Sequence, residues 1–189
     1  MSLYSFIFFP RELDEKSLHE IVSVYPYRYH SLSKFPFLKE EHLDNLEYMM
    51  DDEMFPGIYL TPETRSKFKG GFKNKYCYIL SHHLYYDTNK TDMAKKFIEC
   101  RDDAPANAER YLDILIKTRL EHHQLYEVID QNISSGEFVE IYNEMLHEEW
   151  RDVWGPPKET RSFSLDDVLD EKKFDLDICE WKKYIINKK

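Results

Sequence analysis

The chain has 189 residues, 26 basic and 36 acidic, with a formal net charge of −10 and a pI near 5.3. That balance argues against a general binder of nucleic acid or anionic membrane, which needs an excess of Lys and Arg against phosphate. Aromatic residues make up 15% of the sequence, which excludes a disordered polyelectrolyte, and the length suits one domain with a real core.

In chain order, Leu3 to Phe9 is an apolar, aromatic run closed by Pro10 and reads as a buried strand. Leu13 to Tyr25 changes to helical spacing, with Leu18, Ile21, Val22 and Tyr25 on one side. Prolines at 26 and 36 then mark an extended loop, and a second helix is expected from Lys39 to about Asp52. Ile58 to Leu60 is a short strand candidate. Next, Arg65, Lys67, Lys69, Lys73 and Lys75 alternate with Phe68, Phe72 and Tyr76 around Gly70-Gly71, a pattern expected of a tight hairpin. Tyr76 to Tyr86 suits a strand, and Asp92 to Arg101 returns to helix with Ala94, Phe97 and Ile98 inward.

The longest periodic stretch runs from Ala106 to Val153. Ala108, Tyr111, Leu112, Leu115, Tyr126, Ile129 and Ile133 form one helical stripe, on which Arg119 and His122 are the polar exceptions. Ser134-x-x-Glu137 has the form of a capping box, after which Phe138, Ile141, Tyr142, Met145, Leu146, Trp150 and Val153 keep helical spacing. A competing reading ends the long helix at Gly136 and makes Glu137 to Tyr142 a short strand. The helix accounts for more residues and is preferred. The expected fold is therefore α+β: a helix-rich single domain with a small, mostly antiparallel sheet covered by a long central helix. Residues 1–153 form its main body. Trp154-Gly155-Pro156-Pro157 introduces a C-terminal segment, 154–189, that is apolar enough to dock onto that body.

Chemical motifs are sparse. Three widely spaced cysteines, Cys77, Cys100 and Cys179, suggest neither a disulfide framework nor a metal clip, and point to a reducing cytoplasm. The opening run lacks a basic leader and is too short to span a bilayer, so a soluble cytoplasmic protein without membrane contact is expected. His82 and His122, joined by Glu121, Glu148 or Asp87, are the best composite metal site, and a metal-assisted hydrolase is the enzymatic alternative. The plainer reading makes Arg119, His122 and His82 a satisfied buried polar group. His147-Glu148-Glu149 starts like a zincin box, but Arg151 stands where the second histidine belongs. Gly-x-Ser-x-Gly is absent, and Cys77 alternates with aromatics like a small core residue. No catalytic residue, metal ligand or cofactor is assigned.

Two surface patterns remain. The basic aromatic hairpin around Arg65 to Tyr76 allows a single-strand nucleic-acid binder, although lysines commonly just guard a sheet edge. It could instead meet the protein's own acidic face across a homodimer. Glu137, Glu140, Glu144 and Glu148, beside Tyr142 and Trp150, form an acidic stripe fit to dock a basic protein. The expected function is a protein-interaction module of inhibitor or immunity type that neutralises a basic partner.

Overall fold

The computed structural model describes residues 2–14, 58–81, 92, 96, 121–146, 154–170, 172–176 and 181–189. Six strands form one mixed sheet: β1 (Ser2–Phe9), β2 (Tyr59–Glu63), β3 (Tyr76–Ser81), β4 (Phe138–Leu146), β5 (Glu159–Ser164) and β6 (Lys182–Asn187). Their order is β2-β3-β1-β4-β6-β5. Every pairing is antiparallel except β5 with β6.

β1 lies centrally because its sequence is apolar on both faces. Phe6, Ile7, Phe8 and Phe9 are all fully buried. Ile7 and Phe9 turn to the face shared by Val139, Ile141, Tyr184 and Ile186, which is covered by Leu125, Val128 and Ile129 of a helix, α1 (residues 121–132). Phe6 and Phe8 turn to the other face, where Phe68, Cys77, Tyr142 and Trp154 gather. Full burial of each such side chain contributes about 1.5–3 kcal/mol, so both faces hold the sheet in place.

This architecture corrects the expected one. The sheet dominates, and α1 is the one helix of seven or more residues among those described. The fold is α+β, but it is not a helix-rich domain with a long central helix. The stretch 106–120 lies outside the described residues, as do most of the expected helices at 13–25, 39–52 and 92–101. The clearest reversal is at Phe138–Leu146, where a strand replaces the preferred helix; 147–153 lie outside the described residues. One of the two capping-box bonds forms, with Ser134 N donating to Glu137 Oε2 at 2.6 Å, while Glu137 N donates instead to the backbone carbonyl Ser134 O at 3.0 Å. They close a turn. Gly136 in that turn has φ +83°, a left-handed value that ends a helix, and β4 follows with Val139 and Ile141 on one face and Glu140 and Tyr142 on the other.

The glycine pair at 70–71 also departs from expectation. Both glycines are left-handed, with φ +60° and +75°, yet they sit in a long irregular loop between the paired strands β2 and β3 rather than in a tight hairpin turn. β3 begins at Tyr76 and its described part ends at Ser81. β5 and β6 place the C-terminal segment in the same sheet, β6 paired with β4. After β5, Ser164 starts a short 3-10 turn, Leu165–Leu169, with Leu165 and Val168 inward.

That turn supplies a pH-dependent contribution. Ser164 Oγ and Ser164 N donate to Asp167 Oδ2 at 2.6 and 2.9 Å, and these bonds hold the carboxyl below its ordinary range. A depressed folded-state pKa stabilises the fold above the unfolded value of about 4 and is lost as pH falls through the folded value. Urea midpoints across an acid series should therefore fall less steeply in Asp167→Asn than in the parent chain.

Candidate functional site

The loop 64–75 connects β2 to β3 and lies over the sheet face built from Phe6, Phe8, Cys77 and Tyr142. Its aromatic residues point inward. Phe68 meets Phe6 and Phe8 edge-on at 4.8 and 4.9 Å, and Phe72 stacks on Phe8 at 4.4 Å. A single bridge joins Phe68 to Trp154, with Lys69 N donating to Trp154 O and Trp154 N donating to Lys67 O.

Arg65 fixes the loop's path from within. Its guanidinium donates to the carbonyls of Asn74, Phe68 and Phe72 at 3.2, 3.2 and 3.1 Å, and lies over the rings of Phe8 and Phe72. Three carbonyls that turn toward the protein thus share one planar donor, a geometry ammonium does not offer. Arg65→Lys should lower stability by about 2–3 kcal/mol, since bonds from a charged donor are the stronger kind; a shifted urea midpoint is the measurement.

Beneath the loop is an ion pair. Glu140, on β4, is 0% exposed. Its Oε2 accepts from the backbone nitrogens of Lys73 and Asn74, both at 2.8 Å, and its Oε1 lies 3.2 Å from Lys183 Nζ on β6. Lys183 Nζ also donates to Gly71 O. The Asn74 amide bridges two strands, donating to Phe8 O at 3.1 Å and Phe138 O at 2.9 Å. Two consecutive backbone donors wrapped around one carboxylate satisfy groups that would otherwise be stranded over an apolar sheet. The loop is therefore rigidly placed, while Lys69, Lys73 and Lys75 project into solvent.

Of the six residues expected on an acidic docking face, three lie inside the fold. The side chains of Glu140, Tyr142 and Glu144 are buried. Tyr142 Oη donates to Glu144 Oε2 at 2.9 Å and lies 3.0 Å from Gly155 O; burial, then the neighbouring Glu144 charge, raises its pKa. Glu137 sits in the turn before β4 and pairs with Arg11, which with Ser134 N holds its carboxyl below the usual range. Glu148 and Trp150 lie outside the described residues. Of the buried polar set, His122 is on α1, with Nδ1 2.8 Å from Val168 O and its ring edge-on to Phe174; Arg119 and His82 lie outside the described residues. Among the described residues no three His, Cys, Asp or Glu side chains cluster as metal ligands. Burial pushes the Cys77 thiol well up, so it stays protonated in the core.

Sequence reasoning found the loop's lysines, set Glu140 on an outer acidic face and missed Asn74 and Lys183, which together with Glu140 hold the loop. Glu140 lies within the apolar run Phe138-Val-Glu-Ile-Tyr142, and an acid in such a run is the available signal. The chain matches no protein-family model, no curated protein and no solved structure. Among the described residues no helix is long and apolar enough to cross a membrane.

Proposed function

We propose that the protein is an interaction module that captures an acidic protein partner on the loop 64–75. The observation that carries this reading is the pairing of a rigid base with uncompensated charge: Lys69, Lys73 and Lys75 are exposed and make no ion pair with a described residue, whereas Lys67 is paired with Glu63. A plain connection between two strands needs no buried Glu–Lys pair, because removing two charges from water is expensive. A binding loop gains from it, since ordering done at folding is not repeated at association. The reading keeps the class expected from sequence and reverses the charge of the partner, because three of the six residues of the expected acidic face are buried.

A protein fits better than a nucleic acid. Phe68 and Phe72 are engaged with the sheet, which leaves Tyr76, at 38% exposure, as the exposed ring beside the lysines. Stacking on several rings is what binds single strands. A chain of charge −10 also repels a long polyanion more than a local acidic patch.

The test uses a fluorescent polyglutamate peptide and, in parallel, a single-stranded oligonucleotide. Binding of the peptide should weaken with salt and fall about tenfold or more in K69E/K73E/K75E, by the ordinary worth of exposed charge pairs. The unfolding transition should not move. Equal binding by parent and variant, or tighter binding of the oligonucleotide, would overturn the reading.

A further inference from the structure

We propose that two copies of the chain pair along β5, antiparallel and centred on Thr160, so that the sheet continues across a two-fold axis. β5 is the edge strand beyond β6. Glu159 N donates to Trp181 O at 3.3 Å and Asn187 Nδ2 reaches Phe163 O at 3.0 Å, so the main-chain groups of 159, 161 and 163 face β6. Those of Thr160 and Ser162, by the alternation of a strand, face away. Both residues are exposed, and their outward backbone groups make no hydrogen bond to a described residue.

The free edge is bounded on each side. Lys158 N is spent on Trp181 O, Pro156 and Pro157 have no donors, and Ser164 N is spent on Asp167. The opposite edge is guarded differently: β2 contains Pro62, which breaks the row of donors a second strand would need. β5 has no proline. Its charges, Glu159 and Arg161, have opposite sign and already touch at 2.7 Å on one face of the strand.

Those two charges choose both the occupant and the register. Three antiparallel registers align outward backbone groups of two copies. Ser162 opposite the partner's Ser162 sets Arg161 across from the partner's Phe163 and makes no pair of opposite charges. Thr160 opposite the partner's Ser162 sets Arg161 directly against the partner's Arg161, a repulsive arrangement. Thr160 opposite the partner's Thr160 sets Glu159 across from the partner's Arg161, twice, and closes the contact with two-fold symmetry. Such a contact is short, and the dimer it makes is reversible.

The register is read by disulfide trapping in the full chain with Cys100 and Cys179 replaced by Ser. Hydrogen-bonded antiparallel partners have Cα atoms about 5.5 Å apart, within disulfide reach. Thr160→Cys should oxidise to a covalent dimer several-fold faster than Ser162→Cys. In the otherwise unaltered chain, sedimentation equilibrium should show a concentration-dependent dimer that Arg161→Glu weakens and E159R/R161E restores. A Thr160→Cys chain that oxidises no faster than Ser162→Cys, a parent chain that is monomeric at every concentration, or a charge swap that fails to restore the dimer would overturn the proposal.

Discussion

Glu140→Ala should lower folding stability by about 3–5 kcal/mol, the usual cost of removing one partner from a buried ion pair. The carboxylate does more than neutralise Lys183. It also accepts from Lys73 N and Asn74 N, and its loss leaves two backbone donors and an ammonium beneath the loop 64–75 without their acceptor. Each stranded buried donor costs about 1–3 kcal/mol. Urea unfolding gives the total, and hydrogen exchange locates it: the amides of Lys73 and Asn74 should lose protection well before those of β1. Lys183→Met should also destabilise, because it removes the cationic partner of the buried Glu140. The double replacement E140L/K183M should cost less than the sum of the single losses, since two charges in contact are strongly coupled. Additive losses, or an Glu140→Ala chain as stable as the parent, would contradict the role given to this pair.

The legibility of the fold followed the chemistry of each strand. β1 was readable because Leu3 to Phe9 is apolar and aromatic throughout, and β3 because Tyr76 to Leu80 is an aromatic and apolar run opening at the expected residue. β4 was ambiguous for a geometric reason. Residues four apart share a face in a helix and also in a strand, so Glu140 with Glu144, and Phe138 with Tyr142, fit either period. Burial on both faces then removed the polar alternation that marks a half-exposed strand, and the helix template took more residues. β5 escaped notice because Glu-Thr-Arg-Ser-Phe-Ser is mostly polar, as an edge permits. β6 escaped because Lys182 and Lys183 interrupt its apolar pattern, although both are buried.

The site was visible only in outline for a related reason. Arg65 was grouped with the exposed lysines around it, yet it turns inward to three carbonyls. Phe68 and Phe72 looked like stacking rings and are core. The ion pair beneath them joins residues 43 positions apart, and no local spacing encodes such a meeting. Arg65 and Lys75 are similar in sequence pattern; what separates them is the sheet face that only the folded chain supplies.

Gly155→Ala should destabilise by about 3 kcal/mol, at the upper end for overpacking. A Cβ at this position would stand 2.0 Å from Trp181 Cζ3 and 2.8 Å from Cη2. The ring has little room to retreat. Trp181 is held at φ +68°, its N donates to Asn143 O at 2.9 Å, and its O accepts from Lys158 N at 2.8 Å. Lys158 Nζ lies 4.5 Å from its ring centre. If the Gly155 backbone moves instead, the contact between Tyr142 Oη and Gly155 O is stretched. Trp181→Gly separates the two sources of strain, because glycine adopts positive φ at no steric cost and removes the ring. In that background Gly155→Ala should cost less than about 1 kcal/mol, a coupling expected only of residues in direct contact. Thermal and urea unfolding of the four chains completes the cycle. Equal losses in both backgrounds would show that the clash with Trp181 is not what excludes a side chain at 155.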